Sequence, residues 1–251
     1  MREQQKIKAI VFDLDDTLID WSKAEVSWAD TSRHHMSNIY NYLAKTKDLL
    51  PNKETFLTLY RDFVINSWAE SKKSWVATKF EQVLLDTFVA CGIDVAHDEM
   101  EAVLQAYDWQ PIPGIEPYAD TLKVLDSIKE QGYKIGLITN AMQPIWMRDI
   151  ELRAYNILDY LDARITSGDT GFIKPHPSIY THMLEMLDVE PAQAVFVGDR
   201  PANDIAGANE TGLVSVLMDP PHLDYELNGV IPDYKISELA QLLPILVELE
   251  H

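Results

Sequence analysis

The run Ile10-Val11-Phe12-Asp13-Leu14-Asp15-Asp16-Thr17-Leu18 constrains this chain more than any other stretch, because an apolar segment ends abruptly in three carboxylates within four positions. Apolar residues without polar alternation predict a strand covered on both faces, and in open parallel sheets ligands sit beyond the carboxyl ends of such strands. Residues two apart in extended backbone point the same way, so Asp13 and Asp15 can face one reacting atom. In that arrangement one carboxylate can attack while the other handles a proton. The structural alternative is a turn or helix cap, since Asp and Thr both accept backbone N–H groups. Three crowded acids weigh against a cap alone: like charges repel unless a proton or cation offsets them, and a divalent metal is the natural offset.

At 251 residues the chain is long enough for a full core plus a smaller second unit, which favours one domain with a substantial insertion. Its net charge of −19 argues against nucleic acid or an anionic membrane surface as the main partner, because both are polyanions. An anionic small substrate would need local donors or a metal to outweigh the same field. Cys91 is the only cysteine, so no intrachain disulfide can form and a reducing compartment is expected. No run approaches the ~18 uninterrupted apolar residues of a membrane span. The expectation is a cytoplasmic protein. Leu249-Glu250-His251 reads as the remnant of a purification tag and is left out of the functional argument.

Lys6 to Phe12 reads as the first strand, and after Leu18 a helical period persists to about Tyr107. Trp21 and Trp28 are seven apart, as are Trp68 and Trp75, a spacing that returns to one helix face. Five of the six tryptophans fall between Trp21 and Trp109, which fits large core residues of a small bundle better than a stacking surface for substrate. Arg33-His34-His35 and Lys72-Lys73 are the basic groups of this insert, more often solvated than functional. Adjacent histidines diverge on a helix and make a poor metal pair. Pro111-Ile112-Pro113-Gly114 marks the end of the insert, because such dense prolines cannot continue a helix.

Beyond it helices and strands alternate: helix over Tyr118–Gln131, strand over Tyr133–Thr139, helix over Met142–Leu152, strand over Ala163–Thr166, helix over Ser178–Leu187. Strand Ala194–Val197, a short helix over Ile205–Glu210 and strand Val214–Met218 follow. That alternation predicts an α/β fold, a Rossmann-like parallel sheet with helices on both faces, plus an inserted all-helical unit. The core would comprise residues 1–20 and 111–251, and the insert residues 21–110.

Three more strand ends carry polar groups. Thr139-Asn140 offers a hydroxyl and an amide where a helix begins, suited to a phosphate oxygen, although Asn140 could equally cap that helix. Lys174, in the rigid loop Gly171-Phe172-Ile173-Lys174-Pro175-His176-Pro177, can neutralise a phosphate or restrain a carboxylate, or be one more surface lysine. Asp199 ends the strand Val195-Phe196-Val197 and Asp204 starts the next helix; together they suit an oxygen-only Mg²⁺ site.

Taken in this order, the four sites resemble the haloacid dehalogenase-like (HAD) hydrolase superfamily over the whole chain. Asp13-Leu14-Asp15-Asp16-Thr17 is similar to its first motif, Thr139 to its second, Lys174 to its third, and Gly198-Asp199 through Asp204 to its fourth. The insert after the first motif resembles the family's helical cap. The resemblance implies a phosphatase acting on a small phosphorylated metabolite, with Asp13 attacking phosphorus to form an aspartyl-phosphate and Asp15 switching between acid and base. It also implies phosphate binding by Thr139, Asn140 and Lys174, and Mg²⁺ held by the Asp13 side chain, the Asp15 carbonyl, Asp199 and Asp204. Trp21 and Arg33 are the cap residues expected nearest substrate. Asp15 speaks against the dehalogenase branch, since a departing halide needs no proton; a phosphosugar mutase would need a cap that excludes water. The reading from a different class is a non-catalytic protein that binds a phospho-ligand or a partner on the same fold.

Overall fold

The computed structural model describes residues 6–250. Strand β1 (Ala9–Phe12) is buried at every position, and the chain then passes through β2 (Ile19–Asp20) into the insert. The insert holds four helices, α1 (Trp28–Thr46), α2 (Lys53–Ser74), α3 (Phe80–Ala90) and α4 (Met100–Ala106). After β3 (Glu116–Pro117) come α5 (Thr121–Glu130), β4 (Lys134–Thr139), α6 (Ile145–Ala154), β5 (Ala163–Thr166) and α7 (Ser167–Thr170). The remainder is α8 (Pro177–Leu187), β6 (Ala194–Gly198), α9 (Ala206–Thr211), β7 (Val214–Met218), β8 (Tyr234–Ile236) and α10 (Leu242–Leu249).

Six strands form one parallel sheet in the order β5-β4-β1-β6-β7-β8. Chain order runs outward from β1 in both directions, so the crevice where ligands bind an open α/β sheet lies at the end of β1. Phe12 sits level with Leu137 of β4 and Val197 of β6, which carries Asp13, Thr139 and Asp199 to one edge. Ile10 and Phe12 face one apolar cluster and Ala9 and Val11 the other, so helices cover both faces, as the unbroken apolar run requires. β2 and β3 form a separate antiparallel ribbon where the chain leaves the core and returns. Gly114 is needed at that crossing: it has φ +85°, and a Cβ there would lie 2.0 Å from the carbonyl of Lys23.

The cap helices bury their own cluster around Phe56, Phe80, Phe88 and Tyr107, and Met142 and Met147 from the core join it. Each fully buried aromatic of this kind contributes about 2 kcal/mol. The tryptophans depart from the expected packing seams. Trp109 is buried in the cap, but Trp21, Trp28 and Trp68 line a cavity between cap and core, and Trp75 ends α2 in a left-handed conformation with its ring exposed. Directly after Trp75, Val76 makes an antiparallel bridge to Phe172; Ala77 N–H donates to the Gly171 carbonyl at 2.9 Å and Ile173 N–H to the Trp75 carbonyl at 3.0 Å.

The second half follows the sequence pattern with shifted ends: Pro144 delays the start of α6, and a π-helical turn over Pro201–Ile205 precedes α9. β8 and α10 lie beyond the last strand expected. At the C-terminal end Leu249 packs on the core and the Tyr133 hydroxyl donates to Glu250 at 2.8 Å. His251 lies outside the described residues. No helix among the described residues is long and apolar enough to cross a membrane.

Candidate active site

Asp13 leaves β1 with its N–H donating to Val197 of β6 at 2.9 Å, which fixes the carboxylate at the sheet edge. Lys174 Nζ meets it at 2.6 Å, lies 2.8 Å from Asp204 Oδ1 and donates to the Ile138 carbonyl at 3.0 Å. Lys174 is 2% exposed, so the reading of it as one more surface lysine does not hold. Burial alone would discharge this ammonium, but Asp13 and Asp204 more than offset that and hold it charged. Asn140 builds the position of the lysine: its side chain accepts from Lys174 N–H at 2.8 Å and donates to the Lys174 carbonyl at 3.2 Å. Its amide, expected on phosphate, is thus occupied in joining two loops. The neighbouring Thr139 hydroxyl is buried with no protein partner and lines the same cavity as Asp13.

Asp199 and Asp204 approach from β6 and the turn after it. Gly198 permits this, because a Cβ there would fall 2.5 Å from the Asp204 side chain. Oxygens of Asp13, Asp199 and Asp204 lie within 4.8 Å of one another, all three residues buried. Burial, then Asp204 and Asp13, push the Asp199 carboxyl up to about 9; burial chiefly pushes Asp13 up to about 6 against the pull of Lys174. Neither Asp199 oxygen has a hydrogen-bond partner. A buried carboxylate without a donor is costly, and three of them converging with only oxygen atoms to offer fit a hard divalent cation. The Asp15 carboxylate stands apart from this group.

Asp15 turns instead toward the cap. Its carboxylate accepts from Trp21 Nε1 at 2.8 Å and from Arg148 Nη2 at 3.0 and 3.2 Å. Arg148, on α6, is 3% exposed, lies 2.5 Å from Glu151 through Nε, and stacks over the Trp109 ring at 5.6 Å. Desolvation opposes its charge, and Asp15 and Glu151 more than restore it. Burial pushes Glu151 itself up to about 7, with Arg148 pulling the other way. Sequence reasoning missed Arg148. The available signal was its place one turn into the helix that follows Thr139, in line with Glu151 three residues on.

The structure therefore brings Asp13, Thr139, Asn140, Lys174, Asp199 and Asp204 to one strand edge, with Asp15 and Trp21 beside them. Arg33 is not among them: it lies on the outer face of α1, paired with Glu54 at 2.5 Å, because the helix turns that position away from the core. Lys72, by contrast, lines the cavity of Asp13 together with Arg200. Asp16 has the left-handed φ of 58° of a turn residue, accepts from Trp21 N–H and lies 3.2 Å from His222 Nε2.

A family profile of haloacid dehalogenase-like hydrolases matches residues 7–212. Similar curated proteins include pyrophosphatase PpaX of Bacillus mycoides (strain KBAB4), 28% identical over 96% of this chain and 97% of its own. A second is glyceraldehyde 3-phosphate phosphatase of Methanopyrus kandleri, 27% identical over 97% of this chain and 98% of its own. Among solved structures, an HAD phosphatase from Thermococcus onnurineus matches with a TM-score of 0.59 and 25% identity over 96% of this chain and 98% of that one. A 2-haloacid dehalogenase from Pseudomonas syringae pv. Tomato DC3000 matches with 0.63 and 23%, over 96% and 99%, a likeness of fold. With the family profile spanning most of the chain and every motif residue on the expected strand edge, this protein is an enzyme of the haloacid dehalogenase-like hydrolase family.

Proposed function

We propose that the chain is a Mg²⁺-dependent phosphatase of a small phosphate monoester, working through an aspartyl-phosphate on Asp13. The observation that carries this reading is the division of labour between two carboxylates two residues apart: Asp13 faces Lys174 and the acidic cluster, while Asp15 borders both the Asp13 cavity and the one between cap and α6, with its orientation held by Arg148. In the first step an Asp13 oxygen attacks phosphorus, the bond to the leaving oxygen breaks, and Asp15 delivers a proton to that oxygen. In the second, Asp15 takes a proton from water as its oxygen attacks the same phosphorus, which releases phosphate and restores Asp13. Lys174 and the free Thr139 hydroxyl take the charge that grows on the phosphoryl oxygens. Asn140 serves by holding Lys174 in register. Asp13, Asp199, Asp204 and the Asp15 carbonyl would hold Mg²⁺, which supplies positive charge to the phosphoryl group and keeps the clustered carboxylates ionised.

The phosphatase and pyrophosphatase names of the relatives support attack on phosphorus. An acid at position 15, held by Arg148, supports a leaving oxygen that must be protonated rather than a halide. The cytoplasm, with its reduced thiols and phosphorylated metabolites, is the compartment this reading fits.

Hydrolysis of a generic aryl phosphate with and without Mg²⁺ tests the proposal. The expected result is activity that needs the metal and falls by about 10³-fold or more in Asp13→Asn, with hydroxylamine-sensitive labelling of the wild type only. Equal turnover in both proteins would sink it, and phosphate binding without turnover would favour a non-catalytic protein.

A further inference from the structure

Two cavities open on either side of Asp15, and they differ in charge. The cavity that Asp13 lines, about 300 Å³, holds buried Lys174 and the exposed cations Lys72 and Arg200. The other, about 240 Å³, lies between the cap and α6 and is walled by Trp21, Trp28, Tyr60 and Trp68. Arg148 is the one cation among its lining residues, and its charge is already engaged: Asp15 and Glu151 contact it and Trp109 covers its face. A carboxylate or phosphate entering this space would meet Asp15 and a guanidinium already paired with both Asp15 and Glu151, in a protein of net charge −19. It would lose its hydration and gain no free positive partner. Aromatic surface is what the cavity offers instead. Trp28 is 38% exposed, and the Trp21 and Trp28 rings meet at 59°, so neither covers the other's face. At about 30 Å³ for each water-sized unit, the volume suits a group of about eight to ten heavy atoms.

Because the proton donor Asp15 lines this cavity, its occupant is the part of the substrate that departs with the proton. We infer that the enzyme selects phosphate monoesters of neutral alcohols that carry one planar ring, over those whose alcohol bears a second anion. This inference rests on the phosphatase reading and adds the class of its leaving group. The selectivity has two physical sources: stacking on tryptophan faces favours the ring, and the lack of an unengaged cation disfavours a second negative charge.

The test compares kcat/KM for phenyl phosphate, 3-carboxyphenyl phosphate, pyrophosphate and acetyl phosphate, in the presence of Mg²⁺. The two aryl esters leave as phenols of similar acidity, so their ratio reports recognition and not intrinsic reactivity. Phenyl phosphate is expected to exceed 3-carboxyphenyl phosphate and pyrophosphate by about tenfold or more, the size of one well-placed pocket contact. In Trp28→Ala the loss with phenyl phosphate is expected to be at least about fivefold larger than the loss with acetyl phosphate, and Trp28→Phe should recover most of it. Acetyl phosphate, which places almost nothing in this cavity, reports whether each variant is folded and chemically competent. Equal turnover of the charged and uncharged aryl esters, or equal losses for both substrates in Trp28→Ala, would overturn the leaving-group assignment alone. Absence of Mg²⁺-dependent turnover of all four substrates by the wild type would overturn the phosphatase reading and this inference with it.

Discussion

The two sides of Asp15 are built by different means. On the Asp13 side Asp13, Thr139 and Asp199 stand at strand ends that sheet register holds level, while Lys174 follows α7 and Lys72 reaches the cavity from α2. On the cap side the groups ride on helices: Trp28 on α1, Trp68 on α2, Arg148 and Glu151 on α6, with Trp21 in the linker. In the proposed reaction the task of the first side, attack on a phosphoryl group, does not vary with the alcohol. The second can be altered residue by residue without disturbing the sheet. The proposed reaction would thereby divide chemistry and selection between separate parts of the fold.

Removing charge from each side should separate them. The largest effect is expected for Lys174→Met, which leaves Asp13, Asp199 and Asp204 buried without their ammonium; activity should fall by about 10³-fold, and urea unfolding should show a loss of about 4 kcal/mol at neutral pH in chelator. Restoring stability with Mg²⁺ but not activity would sharpen the contrast. Arg148→Met should cost about 3 kcal/mol by the same logic and lower kcat by about tenfold to a hundredfold, since Asp15 loses the donor that orients it. If kcat is unchanged, Arg148 is only a structural counterion and the division between the sides fails.

A smaller effect is expected from Glu151. Its folded pKa lies at about 7 against a model-compound value of 4.5, so between these values the folded state binds the proton more tightly than the unfolded one. Stability from this group is therefore greatest below pH ~4.5 and lost as pH rises to ~7, by about 3 kcal/mol at most. Glu151→Gln should flatten that slope in denaturant titrations at several pH values; an unchanged slope would remove Glu151 as its source. The smallest effect belongs to Arg33→Ala, which should leave both the melting temperature and the order of substrates unaltered, because the Arg33–Glu54 pair is exposed on the outer face of the cap. A changed order of substrates would bring α1 back into selection.

What the sequence disclosed follows the same division. Asp13, Thr139 and Asp199 were legible because an apolar run marks a buried strand and its end marks the site; Lys174, beyond α7, stood out only through the family resemblance. Selection residues carry no such mark. Trp28 and Trp68 share the helical spacing of packing residues, and only the docking of cap on core decides that they face a cavity. Arg148 looked like any helical arginine, since nothing local shows that α6 lies against Asp15, 133 residues earlier. β8 escaped notice because three residues are too few to display a period, and the stretch before it, rich in Pro and Asp, resembles loop.

The stitch between Val76 and Phe172 couples these two sides mechanically. Its backbone bonds join the last turn of α2 to a loop whose next residues are Ile173 and Lys174. A cap that swings outward must part those bonds first, and the pull arrives one residue from the ammonium that restrains the nucleophile. Each bond exchanged for water costs about 1 kcal/mol. The same backbone bonds tie the helix that carries Trp68 to the loop that carries Lys174, so the aromatic wall and the charge beside Asp13 share one anchor.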